Sequence, residues 1–201
     1  SANSTRKDPT VSQPIYPNLA ALFEAVASEH DDGGLASDQP LLAGIQIDDD
    51  EAEVIADVNY ALSMAGMTAI SHFIEDRIAQ EGSTGRVFAG FQKLSRVRPQ
   101  RERYDAIKEQ AAEVFIFGEP DKPCVVTGGN LRIVATTSED ILEHWFVVSD
   151  SAEFPICLLA REASPISGQR IFRGFWSSNP DLVQRVVDVL ERSVIGEPVA
   201  A

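Results

Sequence analysis

Cysteine and histidine are scarce in this chain, at 2 and 3 of 201 residues. There is no CxxC pair and no Cys/His spacing suited to zinc. Cys124 and Cys157 sit in the apolar settings PCVV and PICLL, where a thiol acts as a small buried hydrophobe rather than a nucleophile or disulfide partner. Long apolar runs are also missing, and none nears the roughly 18–20 residues that span a bilayer. The leading SANSTRKDPT lacks the apolar core of a signal peptide. These absences lead us to expect a cytoplasmic protein, with no membrane partner and no metal site.

The common catalytic signatures are missing as well. The sequence holds no GxxxxGK[ST], GxGxxG, HExxH, GxSxG or EF-hand spacing. His72 lies three and four residues before Glu75 and Asp76 on an expected helix. Such pairs suit local ion pairing, and a metal site would need further ligands. The run Asp48-Asp49-Asp50-Glu51 lacks the spaced oxygens and glycine turn of a calcium loop; it reads as a charged first helical turn. Nothing brings two of Glu119, Asp121, Glu139, Asp140 and Glu143 together as an acid/base pair. No catalytic residue is assigned, the cofactor is left open, and the chain is read as a non-enzyme.

Positive charge is rare and unevenly placed. The formal charge is −14, and residues 1–57 alone carry −10. Residues 86–108 reverse the sign to +5 through Arg86, Lys93, Arg96, Arg98, Arg101, Arg103 and Lys108. So acidic a field repels polyanions, which excludes general nucleic-acid binding. The basic island then has three uses: pairing with the acidic surplus, docking an acidic partner, or holding a small anionic ligand. An acidic partner includes the N-terminal half of a second copy, and hence a homodimer. Lys93, Arg96, Arg98, Arg101 and Arg103 are the candidate recognition residues.

Periodicity gives the outline. Asn18 caps a helix with Leu19, Leu22, Phe23 and Val26 on one face. Residues 51–80 read as a largely helical block, one kinked helix or two, interrupted at Gly66. From residue 86 onward, strands are expected at 86–92, 113–117, 144–149, 154–161 and 170–176. A helix opens at Pro99, and CVVT-GGN-LRIVATT reads as a β-hairpin. Asn179 and Pro180 start the last helix, with Leu182, Val183, Val186, Val187 and Leu190 buried. Short turns between these strands imply an α+β fold, with a mainly antiparallel central sheet, flanking helices on one face and an N-terminal helical segment. The expected organisation is a flexible N-terminus (1–15), a helical N-terminal part (16–84), an α+β sensory core (85–195) and a flexible tail (196–201). Aromatic residues on strands are mostly core, and Trp145, Phe175 and Trp176 are the candidates for a pocket wall.

AGFQKLSRVRPQRERY, VFIFGEPD, HWFVVSD, LLARE and RIFRGFWSSNPDLV, taken in order, resemble the DICT domain. The resemblance covers about residues 68–192, with the FGEPD turn and the GFW…NPDLV junction its most distinctive pieces. It implies a sensory role beside diguanylate cyclases and two-component systems, with signalling proteins as partners. The chain has no room for a kinase or cyclase of its own, and no catalytic residues are carried over.

Overall fold

In the computed structural model, residues 14–29, 58–82, 84–124, 126 and 128–196 are described. The expected acidic helical turn at 48–53 and the segment LLAGIQI lie outside them.

The first helix, α1 (Leu19–Glu29), buries Leu19, Leu22, Phe23 and Val26 as its spacing predicts. Asn18 Oδ1 accepts from the Ala21 amide at 2.8 Å, and the Leu19 and Ala20 amides donate to the Asp140 carboxylate at 2.8 and 2.9 Å. An anion from elsewhere in the fold thus sits on the positive helix end. Residues 58–63 depart from the helical reading: they form β1 (Val58–Ser63), antiparallel to the end of the sheet. Ser63 then caps α2 (Met64–Glu81), its hydroxyl accepting from the Gly66 amide at 3.2 Å. Gly66 lies in the first turn of that helix rather than at a kink.

Strand β2 (Arg86–Lys93) is followed by a 3-10 segment (Leu94–Gln100) and then α3 (Arg101–Gln110). The α-helix therefore begins after Pro99 rather than at it. Next come β3 (Glu113–Glu119), β4 (Leu131–Ala135), α4 (Glu139–Glu143) and β5 (His144–Asp150). Strands β6 (Pro155–Ile166) and β7 (Gln169–Ser177) lead into α5 (Pro180–Gly196). The β6–β7 hairpin is longer than expected, turning at Ser167 and Gly168, both at positive φ (51° and 76°).

The seven strands lie in the order β1-β7-β6-β5-β2-β3-β4. Pairing is antiparallel from β1 to β2, and parallel for β2–β3 and β3–β4. Val125 and Thr127 of the expected hairpin before LRIVA lie outside the described residues. Only an isolated bridge joins Gly128 to Leu131, and β4 runs alongside β3 in the same direction. The Asn130 side-chain amide fixes that entry, donating to the carbonyls of Lys108 and Ala111 at 3.0 and 2.6 Å.

Helices cover both faces of the sheet rather than one. Alternation along the strands creates two cores. Val87, Val147, Leu158, Phe172 and Trp176 pack with Met67, Ile70, Ile74 and Ile78 of α2 and Tyr104 and Ile107 of α3. Phe88, Phe146, Val148, Leu159 and Phe175 pack with α1, α4 and α5. The cysteines divide likewise, Cys157 in the second core and Cys124 half-buried against the first. Both faces being apolar explains why the strands read as near-continuous hydrophobic runs.

Candidate ligand pocket

A cavity of about 310 Å³ lies between α2 and the sheet, closed at one end by the 3-10 segment and α3. Its size is at the lower end for small-molecule sites. The sheet contributes Ala89, Gly90, Phe91, Gln92, Trp145, Phe146, Val147, Arg170 and Phe172, and α2 contributes Met64, Thr68, Ser71, His72 and Glu75. Arg96, Gln100 and Tyr104 complete the lining. Two edge-to-face pairs hold the aromatic walls, Trp145 with Phe172 at 5.5 Å and Phe91 with Tyr104 at 5.2 Å. On the other face of the sheet, Gly90 leaves room for the Phe146 ring of the second core: a Cβ there would come within 2.5 Å of it.

Local backbone geometry places the mouth. The β2–β3 register shifts between Gly90 and Lys93, and Gln92 adopts φ 54°, a left-handed conformation that costs a non-glycine residue energy. This bulge ends β2 and swings the chain into the 3-10 turn that carries Arg96. The Arg96 guanidinium donates to the Gln92 side chain, an uncharged acceptor. Arg170, also at the rim, is already bidentate on Glu162, with both contacts 2.7 Å.

Polar groups converge at the inner end. Glu75 is only 4% exposed, and its carboxylate accepts from the Tyr104 hydroxyl at 2.7 Å and from Arg103 at 3.4 Å. Burial pushes the Glu75 carboxyl up to about 7, against the opposing pull of Tyr104 and Arg103. Burial likewise drives the Tyr104 hydroxyl upward, reinforced by the neighbouring carboxylate. His72 is lowered by burial and by Arg103. One turn before Glu75, the Ser71 hydroxyl accepts from the Trp145 indole N–H at 2.8 Å.

The expected site residues do not all meet. Arg96 and Trp145 line the pocket together. Trp176 is buried on the same face of the sheet, edge-on to Phe73 at 6.1 Å, and lies in the core. Phe175 faces the opposite core, because adjacent strand residues point to opposite sides. Arg103 turns inward, reaching Asp76 at 3.0 Å and the His72 carbonyl at 3.3 Å, so it clamps α3 to α2. Arg101 pairs with Asp105 at 3.5 Å within its own helix. Lys93 and Arg98 are exposed. Hydrogen bonds from Ser95, and then the charge of nearby Lys93, hold the Asp121 carboxyl below the usual range.

Sequence reasoning treats Glu75 only as a neighbour of His72 and does not reach Tyr104 or Ser71. A signal for Glu75 is present: it falls on the same helical face as Ile74 and Ile78, where an acid is rarely buried without partners.

Residues 53–163 match the family model described as DICT, the sensory domain in diguanylate cyclases and two-component systems. The match spans more than half of the chain. The chain belongs to the DICT family. No curated protein matches it. Within this DICT domain the matched segment runs from before β1 into β6 and contains every pocket residue except Arg170 and Phe172. Among the described residues, no helix is long and apolar enough to cross a membrane, and no group of three or more His, Cys, Asp or Glu could hold a metal ion.

A second cavity, about 750 Å³, opens on the other face beside α1 and is lined by Glu24, Glu143, Arg161 and Arg173 among others. Arg161 is paired with Glu24 across it.

Proposed function

We propose that this DICT domain is a non-catalytic sensor that binds a small ligand between α2 and the sheet and signals through protein contact. The observation that carries this reading is the apolar, aromatic-walled pocket with Ser71, Glu75 and Tyr104 gathered at its inner end. Pockets of this composition bind small molecules, the few polar groups fixing orientation. A bound ligand stabilises whichever placement of α2 and α3 encloses it best. Because the exposed Lys93, Arg98 and Arg101 flank that enclosure, the shift reaches the basic surface. An acidic signalling protein, or a second copy of this chain, reads it there.

The test is a thermal-shift screen of small planar and anionic compounds, run in parallel on the native chain and on Thr68→Phe, which fills the pocket from the α2 side. Compounds that raise the native Tm should lose most of that effect in the variant. Equal shifts in both proteins would place binding elsewhere and sink the reading.

A second reading, a catalyst for a small anionic substrate, is favoured by one observation. Glu75 has a carboxyl near pH 7 in a pocket, the property of a general acid or base. It is weakened because Tyr104 and Arg103 both hold the Glu75 carboxylate. Turnover of a bound compound, followed by mass spectrometry, separates a catalyst from a sensor.

A further inference from the structure

The chemistry of the pocket narrows the class of ligand, a deduction that rests on the sensor reading. A carboxylate offers about four acceptor positions, two per oxygen. At Glu75, Tyr104 occupies one position on Oε1 and Arg103, at 3.4 Å, occupies one on Oε2. One position on each oxygen remains on a group that is 4% exposed and lines the cavity. A buried acceptor pair of this kind is satisfied by two adjacent N–H donors, the fork arrangement that carboxylates favour. Ser71 stands one turn away along α2. Its oxygen already accepts from Trp145, so its own proton is available to donate to an acceptor on the ligand. The inner end therefore asks for a donor–donor–acceptor edge.

The walls and the mouth add two requirements. Phe91, Trp145 and Phe172 favour a flat π-system. Arg96 at the rim has an uncharged hydrogen-bond partner in Gln92. The nearby Glu162 feels its charge but is itself held bidentately by Arg170, so an anion entering the mouth competes with Glu162 for Arg96. We propose that the pocket takes a flat heteroaromatic ring with an aminopyrimidinone edge set against Glu75 and Ser71, carrying a carboxylate or phosphate towards Arg96. Above about pH 7, where Glu75 is ionised, a ring that presents an acceptor nitrogen to the carboxylate is rejected by lone-pair repulsion and by the donors it lacks, so binding is measured at pH 8.

Titration of the native chain, read by tryptophan fluorescence and calorimetry, tests this directly with three probes. Pterin-6-carboxylate and guanosine monophosphate share the edge and the anion. Adenosine monophosphate keeps the ring and phosphate but presents an acceptor at the edge. The first two should bind saturably, and the adenine nucleotide at least about tenfold more weakly, since polar pockets reject analogues that leave their groups unpaired. Arg96→Gln should weaken pterin-6-carboxylate while leaving unsubstituted pterin unchanged, which shows the anion contact separately from the ring contact. Equal binding of the guanine and adenine nucleotides overturns the proposal, as does no binding of pterin-6-carboxylate or the guanine nucleotide. In that case, other compounds that lose binding in Thr68→Phe leave the pocket reading standing, and insensitivity to Thr68→Phe removes both.

Discussion

A carboxyl raised to about 7 against an ordinary value of 4.5 makes Glu75 a source of pH-dependent stability. Between those values the unfolded chain has released the proton while the folded chain keeps it. Stability from this group is therefore full below pH 4.5, falls as pH rises towards 7, and levels off above. The groups that face it are Tyr104 and Arg103 from α3, and His72 and Asp76 on its own helix. A shift of this size corresponds to something on the order of 3 kcal/mol. Glu75→Gln keeps an acceptor for Tyr104 but cannot ionise, so chemical denaturation at pH 5 and pH 8 should show a smaller pH effect in the variant. The same slope in both proteins would mean that Glu75 does not titrate as its burial implies.

Among the elements, the cap on α1 is the contact most open to test. Asp140 reaches from α4 to the amides of Leu19 and Ala20, so a helix whose own sequence supplies only Asn18 is completed by a residue 120 positions away. Asp140→Ala should cost about 1–2 kcal/mol. Hydrogen exchange should locate the loss in α1, with α2 unchanged, and protection lost evenly across both helices would contradict this. Elements with strong local periodicity were legible from residues alone: α1, α5, β2, β3 and β5 to β7. Residues 58–63 were not, because the apolar spacing of Val54, Ile55, Val58 and Leu62 suits a helix, while the pairing that decides the matter comes from β7. Strand β4 misled for a related reason. Its glycine turn suggests a hairpin, while the ladder among the described residues is with β3, parallel alongside. The pocket was legible only in Arg96 and Trp145. Its inner end depends on α2 and α3 being laid side by side over the sheet, which no local pattern specifies.

At the scale of the whole molecule, the charge distribution governs how other proteins approach. A chain of formal charge −14 presents the exposed Lys93, Arg98 and Arg101 as a small positive area. On the proposed docking reading, an acidic partner would be steered there through a field that salt screens. Arg98→Glu with Arg101→Glu should abolish capture of that partner or of a second copy, while leaving the melting temperature within about a degree, as exposed substitutions do. Native-chain association should itself weaken as salt is raised. Association that survives both the reversal and high salt would assign the docking to another surface.

The order in which the sheet is assembled has a cost in time. Among the described residues, strand β1 pairs with β7 alone, with Val58 opposite Trp176 and Ser63 opposite Ile171. A ribosome adding about 5–20 residues each second makes the first strand wait roughly 5–20 s before the last one exists. Throughout that interval the backbone donors and acceptors that β1 offers to β7 are unpaired, and α2 has no finished sheet to cover. Nascent chains are then vulnerable to pairing with one another, and a chaperone that holds the early segment would raise the yield of folded protein more than any single stabilising substitution downstream.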